Sequence, residues 1–321
     1  MSKYRRRLQP LLEDRLFMSD GGLETTLIFH QGIDLPEGAA FHLLKDEAGT
    51  EVLRRYYALY AGMAREHGLG FVLESPTWRA NPDWAAKIGY DARSLAGANR
   101  RGIGLMLEIR AAWEKPGLPF VISGNIGPRG DGYFPDRRMS AAEAKRYHAA
   151  QVETFAGTDA DLVSAFTLNY SEEAIGVAAA ARDCAIPAVI SFTVETDGRL
   201  PSGETLPDAI ARVDDATGGY PAYYMINCAH PTHFTPVLRG NADWLARLKG
   251  LRANSSMRSH AELDNSPELD TGDPQRLGEE YRELQALLPH LTVVGGCCGT
   301  DHRHVDAICR AIDRQERAAA V

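Results

Sequence analysis

The chain has 321 residues, 24% of them Asp, Glu, Lys or Arg, and a formal net charge of -8, which supplies no positive footprint for nucleic acid or for an anionic membrane surface. The basic N-terminal stretch 1–17 contains no apolar leader core, and no uninterrupted apolar run approaches the ~20 residues of a membrane span. The expectation is a soluble, cytoplasmic protein acting on small molecules, with a length that one (β/α)8 barrel of ~250 residues or more occupies as a single domain, 1–321.

Short apolar runs alternate with longer segments of helical spacing. Residues 16–20 read as a first strand, with Gly21-Gly22 as its turn. Apolar residues recur at helical spacing over 47–67 and stop at Gly68, which predicts a helix there. Strand two is expected at 71–75, closed by Pro76, and strand three at 120–123, running into a turn-rich segment that ends near Tyr133. A helix rich in Ala, Glu and Lys over 141–156 leads to strand four at 162–166, and a helix over 172–184 to strand five at 188–194. A helix over 205–216 precedes strand six at 223–227, and strand seven is placed at 248–253. The polar stretch 254–273 reads as a long loop, followed by a helix to about Leu288 and strand eight at 291–294. Eight strand-then-helix units with apolar strands argue for the α/β class and a parallel TIM barrel over an open sheet. In such a barrel the loops after the strands share one rim, so Asp20, Thr77, Asn125, Cys228 and the pair Cys297-Cys298 are expected to converge.

The cysteines carry the chemistry. Adjacent cysteines rarely pair with each other, and glycines on both sides of Cys297-Cys298 free the backbone to turn both sulfurs toward one point. A third thiol, Cys228, ends the apolar run of strand six. Three thiols at two strand ends is the pattern of a catalytic zinc site, with three protein ligands and one open position. The total of five cysteines is odd, which fits reduced thiols and metal ligation better than a secreted disulfide framework. Two plainer readings stay open: free cysteines are often small core residues, and His230 or His233 is placed to close a structural zinc site as a fourth ligand. Cys184 and Cys309 fall in predicted helices and read as core.

With Asp20-Gly21-Gly22 and Glu24-Thr25 after strand one, Thr77 within SPTWRAN after strand two, Asn125-Ile126-Gly127-Pro128 after strand three, Asn227-Cys228 after strand six and GGCCGT after strand eight, the chain resembles the homocysteine S-methyltransferase family over nearly its whole length. The resemblance implies zinc held by Cys228, Cys297 and Cys298, with the thiol of homocysteine or a related acceptor entering as the fourth ligand. A methyl group would then come from a sulfonium or ammonium donor, giving methionine or another thioether. A free thiol has a pKa of ~8.5 and is only a few per cent thiolate at pH 7, so coordination is what makes it a nucleophile. Aromatic faces suit cationic donors, which makes Trp78, Tyr133 and Phe134 candidate pocket walls.

The resemblance breaks at one position. The family's Glu at the end of strand four, which helps hold the amino group of homocysteine, is replaced here by Phe166. Thr167, Asn169 and Glu195 are nearby polar substitutes, and Asp20 is a candidate for the acceptor's amino group, with the Gly22 amide near its carboxylate. Asp20 equally suits a turn cap, Thr77 the turn at Pro76, and Asn125 a turn position. Asn227 reads as an orienting residue or a temporary fourth ligand, and Trp78 as a packing residue. Two functional alternatives remain: a methyltransferase or demethylase for a different thiol, and a non-catalytic zinc-binding barrel.

Overall fold

Strands that are largely apolar, without a polar face, must be buried on both faces, and the chain achieves this by closing them into a barrel. In the computed structural model, which describes residues 1–8, 15–240, 242–264, 266 and 268–319, eight parallel strands pair in sequence order and the last returns to the first. They are β1 (Phe17–Met18), β2 (Gly70–Glu74), β3 (Phe120–Ile126), β4 (Leu162–Leu168), β5 (Ala188–Phe192), β6 (Tyr223–Asn227), β7 (Leu248–Ala253) and β8 (Val293–Gly296). Residues 9–14 of the basic N-terminal stretch, and 265 and 267 of the polar loop, lie outside the described residues.

The outer layer comprises α1 (Glu47–His67), α2 (Pro82–Lys87), α3 (Ala92–Trp113), α4 (Ala141–Ala156), α5 (Ser171–Asp183), α6 (Leu206–Thr217), α7 (Pro231–Leu238), α8 (His260–Asp264), α9 (Pro274–Leu287) and α10 (His302–Ala319). Local sequence sets several of these boundaries. The Asp46 side chain accepts from the Gly49 amide to start α1, and Gly68 ends it at φ 70°, a left-handed conformation that glycine adopts without a Cβ clash. Ser140 and Glu143 form a reciprocal capping box at the start of α4. Several elements depart from expectation: α2, α3 and α7 have no counterpart among the helices placed above, β3 and β4 run further than expected, the polar loop contains the short α8, and Cys184 follows α5 as its cap rather than lying within it. No described helix is long and apolar enough to cross a membrane.

Side chains alternate between the helical layer and the barrel interior. The interior is apolar lower down, where Phe17, Val72, Val121, Leu162, Val189, Tyr223, Met225 and Val293 pack together. Toward the C-terminal ends of the strands it turns polar, through the buried Ser19, Glu74, Ser123, Ser164, Ser191, Asn227 and Arg252. Burying that many polar groups is tolerable only if they satisfy one another or a ligand. That change of character within the barrel interior locates the site.

Candidate metal centre

Cys228 follows β6 at φ 53°, a left-handed conformation that costs a non-glycine residue roughly 1 kcal/mol or more. Three bonds hold it there: its N–H donates to the Arg252 carbonyl (3.1 Å), and its carbonyl accepts from the Thr193 hydroxyl (3.2 Å) and lies 2.6 Å from His260 Nε2. The bend carries the Cys228 sulfur toward the end of β8. There the strand runs on through Gly295-Gly296, further than the apolar run alone predicted, and a Cβ on Gly296 would sit 2.1 Å from Thr300 Oγ1. That close approach lets Thr300 bond the Cys297 carbonyl (2.7 Å) and fold the Cys297-Cys298 turn back over the barrel mouth.

The sulfurs of Cys228, Cys297 and Cys298 lie within 4.8 Å of one another, the first buried, the second half-buried and the third exposed. In this structure Cys228 and Cys297 are joined as a disulfide, so the expectation of reduced thiols does not hold for that pair. The sulfurs of Cys228 and Cys298 are 3.9 Å apart, close to the roughly 3.8 Å between two thiolates on one tetrahedral zinc with Zn–S bonds of ~2.3 Å. Among the described residues no other His, Asp or Glu joins the cluster. His230 points instead to Thr232 (2.9 Å) and Glu280 (3.3 Å), and His233 to the Met257 carbonyl (2.9 Å), which removes the expected candidates for a closing fourth ligand. The donor set therefore fits a soft metal with three thiolates and one open position.

The open side faces a cavity of about 100 Å³ lined by Asp20, Gly22, Glu74, Trp78, Asn125, Tyr133, Phe166, Asn227, Arg252 and the three cysteines. Of its charged groups Asp20, Glu74 and Arg252 are buried and Glu24 is half-buried. Asp20 pairs with Arg252 at 2.6 Å and accepts from the Tyr56 hydroxyl at 2.9 Å. Arg252 also donates to Ser19 Oγ (2.6 Å) and to the carbonyls of Gly296 and Gly21 (3.1 Å each), and its guanidinium carbon lies 5.3 Å from the Phe166 ring centroid. Glu74 accepts from the Ser164 hydroxyl through Oε1 (3.0 Å), while Oε2 has no partner. Burial pushes the Glu74 carboxyl up to about 7, against the opposing pull of Arg252 and of the serine hydroxyls.

The expected site residues divide into those that reach the cavity and those that support it. Asn227 does both. Its Oδ1 accepts from the Thr167 amide (2.9 Å) and the Ser191 hydroxyl (2.6 Å), its Nδ2 donates to Thr167 Oγ1 (2.9 Å), and Nδ2 is 4.0 Å from the Cys297 sulfur. It thereby clamps Thr167 at φ 61°, where the β4–β5 register shifts. Asn125 presents a buried, unpartnered Oδ1 to the cavity. Thr77 is fully buried and bonds the Asn125 carbonyl (2.7 Å), pinning the turn after β2 rather than lining the cavity. The Gly22 amide is already donated to Thr300, both to its carbonyl and to its Oγ1 (3.1 Å each), so it is not free for a carboxylate as the sequence suggested. Glu195 lies outside the cavity, 3.2 Å from His260 Nδ1. Of the aromatic candidates, Trp78 and Tyr133 line the cavity, with the Tyr133 hydroxyl 3.8 Å from the Cys298 sulfur. Phe134 is 72% exposed and does not line it.

Glu74 and Arg252 were missed by the sequence reading, although one signal was present. Each is a charged residue near the C-terminal end of a strand that is otherwise largely apolar, the rim position where barrel enzymes place chemistry.

The family model described as homocysteine S-methyltransferase matches residues 17–312. The chain is 25% identical to homocysteine S-methyltransferase 4 of Zea mays, over 92% of this chain and 89% of that protein. It is 24% identical to homocysteine S-methyltransferase 1 of Arabidopsis thaliana, over 92% and 93% respectively. In fold it is similar to the homocysteine methyltransferase MmuM from Escherichia coli. The oxidised form superposes with a TM-score of 0.73 at 21% identity, covering 94% of this chain and 98% of that one. The metallated form gives 0.72 at 20% identity, covering 96% and 99%.

Proposed function

The chain belongs to the homocysteine S-methyltransferase family, and from that membership we propose that it transfers a methyl group from a sulfonium or ammonium donor to the sulfur of homocysteine or a closely related thiol. The observation that carries this reading is the set of three convergent sulfurs with no fourth ligand among the described residues, opening onto a partly apolar cavity. Cys228, Cys297 and Cys298, once reduced, would hold zinc, which supplies Lewis acidity that keeps an acceptor thiol ionised at neutral pH.

The remaining chemistry is positioning. The acceptor sulfur attacks the methyl carbon in line; the new S–CH3 bond forms as the donor's bond to that carbon breaks, and the electron pair stays with the donor. A cationic donor therefore leaves neutral. Trp78 and Tyr133 present aromatic surface to the cavity, which favours a cation and excludes water during the transfer. Asn227, with Thr167 and Ser191, holds the floor of the site so that the acceptor and the Cys297 sulfur keep a fixed relation.

The test is to supply the reduced, zinc-loaded protein with homocysteine and, in turn, S-methylmethionine, S-adenosylmethionine, betaine and dimethylsulfoniopropionate, and to measure methionine by mass spectrometry. Methionine formed with at least one donor supports the reading. No methionine with any of them, from protein that retains one zinc per chain, overturns homocysteine as acceptor.

A further inference from the structure

With Phe166 at the end of β4, another group must receive the acceptor's ammonium if the acceptor is an amino acid. Asp20 is the acidic residue suggested by sequence, yet it is already neutralised. Its Oδ1 lies 2.6 Å from Arg252 and 3.3 Å from the Ser19 hydroxyl, its Oδ2 accepts from Tyr56, and it is only 3% exposed. Glu195 is outside the cavity, and Glu24, which also lines it, is only half-buried and contributes no buried unpartnered oxygen among the described residues. Glu74 differs on each count: it lines the cavity, is 4% exposed, accepts from the Ser164 hydroxyl on Oε1 (3.0 Å), and leaves Oε2 with no partner.

On the adjoining strand, two residues beyond the Ser123 that pairs with Glu74, Asn125 also leaves its buried Oδ1 without a partner in the same cavity. Two buried acceptor oxygens without donors are unfavourable until a ligand supplies them. A cationic group with several N–H donors satisfies both, and an ammonium is such a group. Phe166 completes the arrangement: its ring lies against the Arg252 guanidinium, where a carboxylate would instead be drawn into a second ion pair.

We propose that Glu74, with Asn125 beside it, is the specificity residue that receives the α-ammonium of the acceptor amino acid, in place of the carboxylate absent at position 166. The proposal rests on the thiol-methyltransferase reading and adds the residue that would distinguish an amino acid acceptor from a simple mercaptan or mercapto acid.

The test compares ligands that differ only in the amino group. In steady state, homocysteine is set against 4-mercaptobutyrate. By calorimetry, methionine is set against 4-(methylthio)butanoate, which needs neither turnover nor a thiol–metal bond. The parent protein should prefer the amino acid in both pairs. Glu74→Gln should weaken the amino acid by roughly ten- to a hundredfold, the range of one charge-assisted hydrogen bond, and leave the desamino ligand unchanged. Glu74→Asp, which keeps the charge, should retain part of the preference and provides the readout if the Gln variant does not fold. Equal binding of both ligands by the parent, or equal losses for both in the variants, overturns the proposal. A parent that binds methionine selectively but methylates neither thiol overturns the proposed reaction and leaves the Glu74 assignment standing, so the two failures are distinguishable.

Discussion

The Arg252 guanidinium lies 2.6 Å from the Asp20 carboxylate, and each side chain is less than a tenth exposed. Such a pair adds little net stability, because desolvating both charges offsets their attraction, but removing one partner strands the other in the interior. Arg252→Met should therefore destabilise the protein by about 3–5 kcal/mol, and the double variant Asp20→Asn/Arg252→Met should recover most of that loss. Urea unfolding at pH 7.5 reads both. A single variant as stable as the parent would show that the pair is not the buried, mutually dependent unit described.

Glu74 makes stability depend on pH in the direction opposite to most carboxylates. Its carboxyl is pushed up to about 7 from an ordinary 4.5, first by burial and, more weakly, by Asp20, while Arg252 and the hydroxyls of Ser123 and Ser164 pull it down. Between those two values the folded state holds a proton that the unfolded chain has released, so stability falls as pH rises. The contribution is fully present below about 4.5 and lost through about 7. At about 1.4 kcal/mol per unit this amounts to about 3 kcal/mol. Glu74→Gln should flatten the fall, gaining on the parent in thermal unfolding at pH 8 relative to pH 5. A parallel pH profile in the variant would place the titration elsewhere.

Metal binding separates the three thiols from the nearby imidazoles. Cys228→Ala, Cys297→Ala and Cys298→Ala should each lose tight zinc binding while the barrel stays folded, because the sulfurs sit on the rim and the core packs below them. His230→Ala should keep one zinc per chain, since that ring is turned to Thr232 and Glu280. Zinc content after chelator challenge and gel filtration decides it. Full retention in Cys298→Ala sinks the ligand set.

Asn227 and Thr167 form a clamp whose two halves should respond differently to mutation. Asn227→Ala leaves the Thr167 amide and the Ser191 hydroxyl without their acceptor and should cost about 1–3 kcal/mol. Thr167→Gly removes the Oγ1 contact but relieves a left-handed β-branched residue at φ 61°, so its net cost should be under about 1 kcal/mol. Calorimetric unfolding of the two variants side by side provides the comparison, and equal losses would argue against stored strain at Thr167.

The barrel and the meeting of its three rim cysteines are legible in the chain alone, because both are written in local pattern. The segments 223–227 and 248–253 appear as β6 and β7 at the expected bounds, α1 ends at Gly68 where the helical spacing stops, and Cys228 and Cys297-Cys298 follow strands whose ends share one rim. Which charges meet inside is set by the closed barrel and not by the local pattern. Asp20 looks available in sequence and is in fact spent on Arg252, 232 positions away, while Glu74 looks like the tail of a strand and lines the cavity. Neither His230 nor the Gly22 amide reveals in sequence that it is already committed, to Glu280 and to Thr300. Strand and helix patterns depend on neighbours two to four residues apart, whereas the pairing of buried charges depends on barrel register and closure, which bring together Asp20 just after β1 with residues of β2, β3 and β7 that share no local signal.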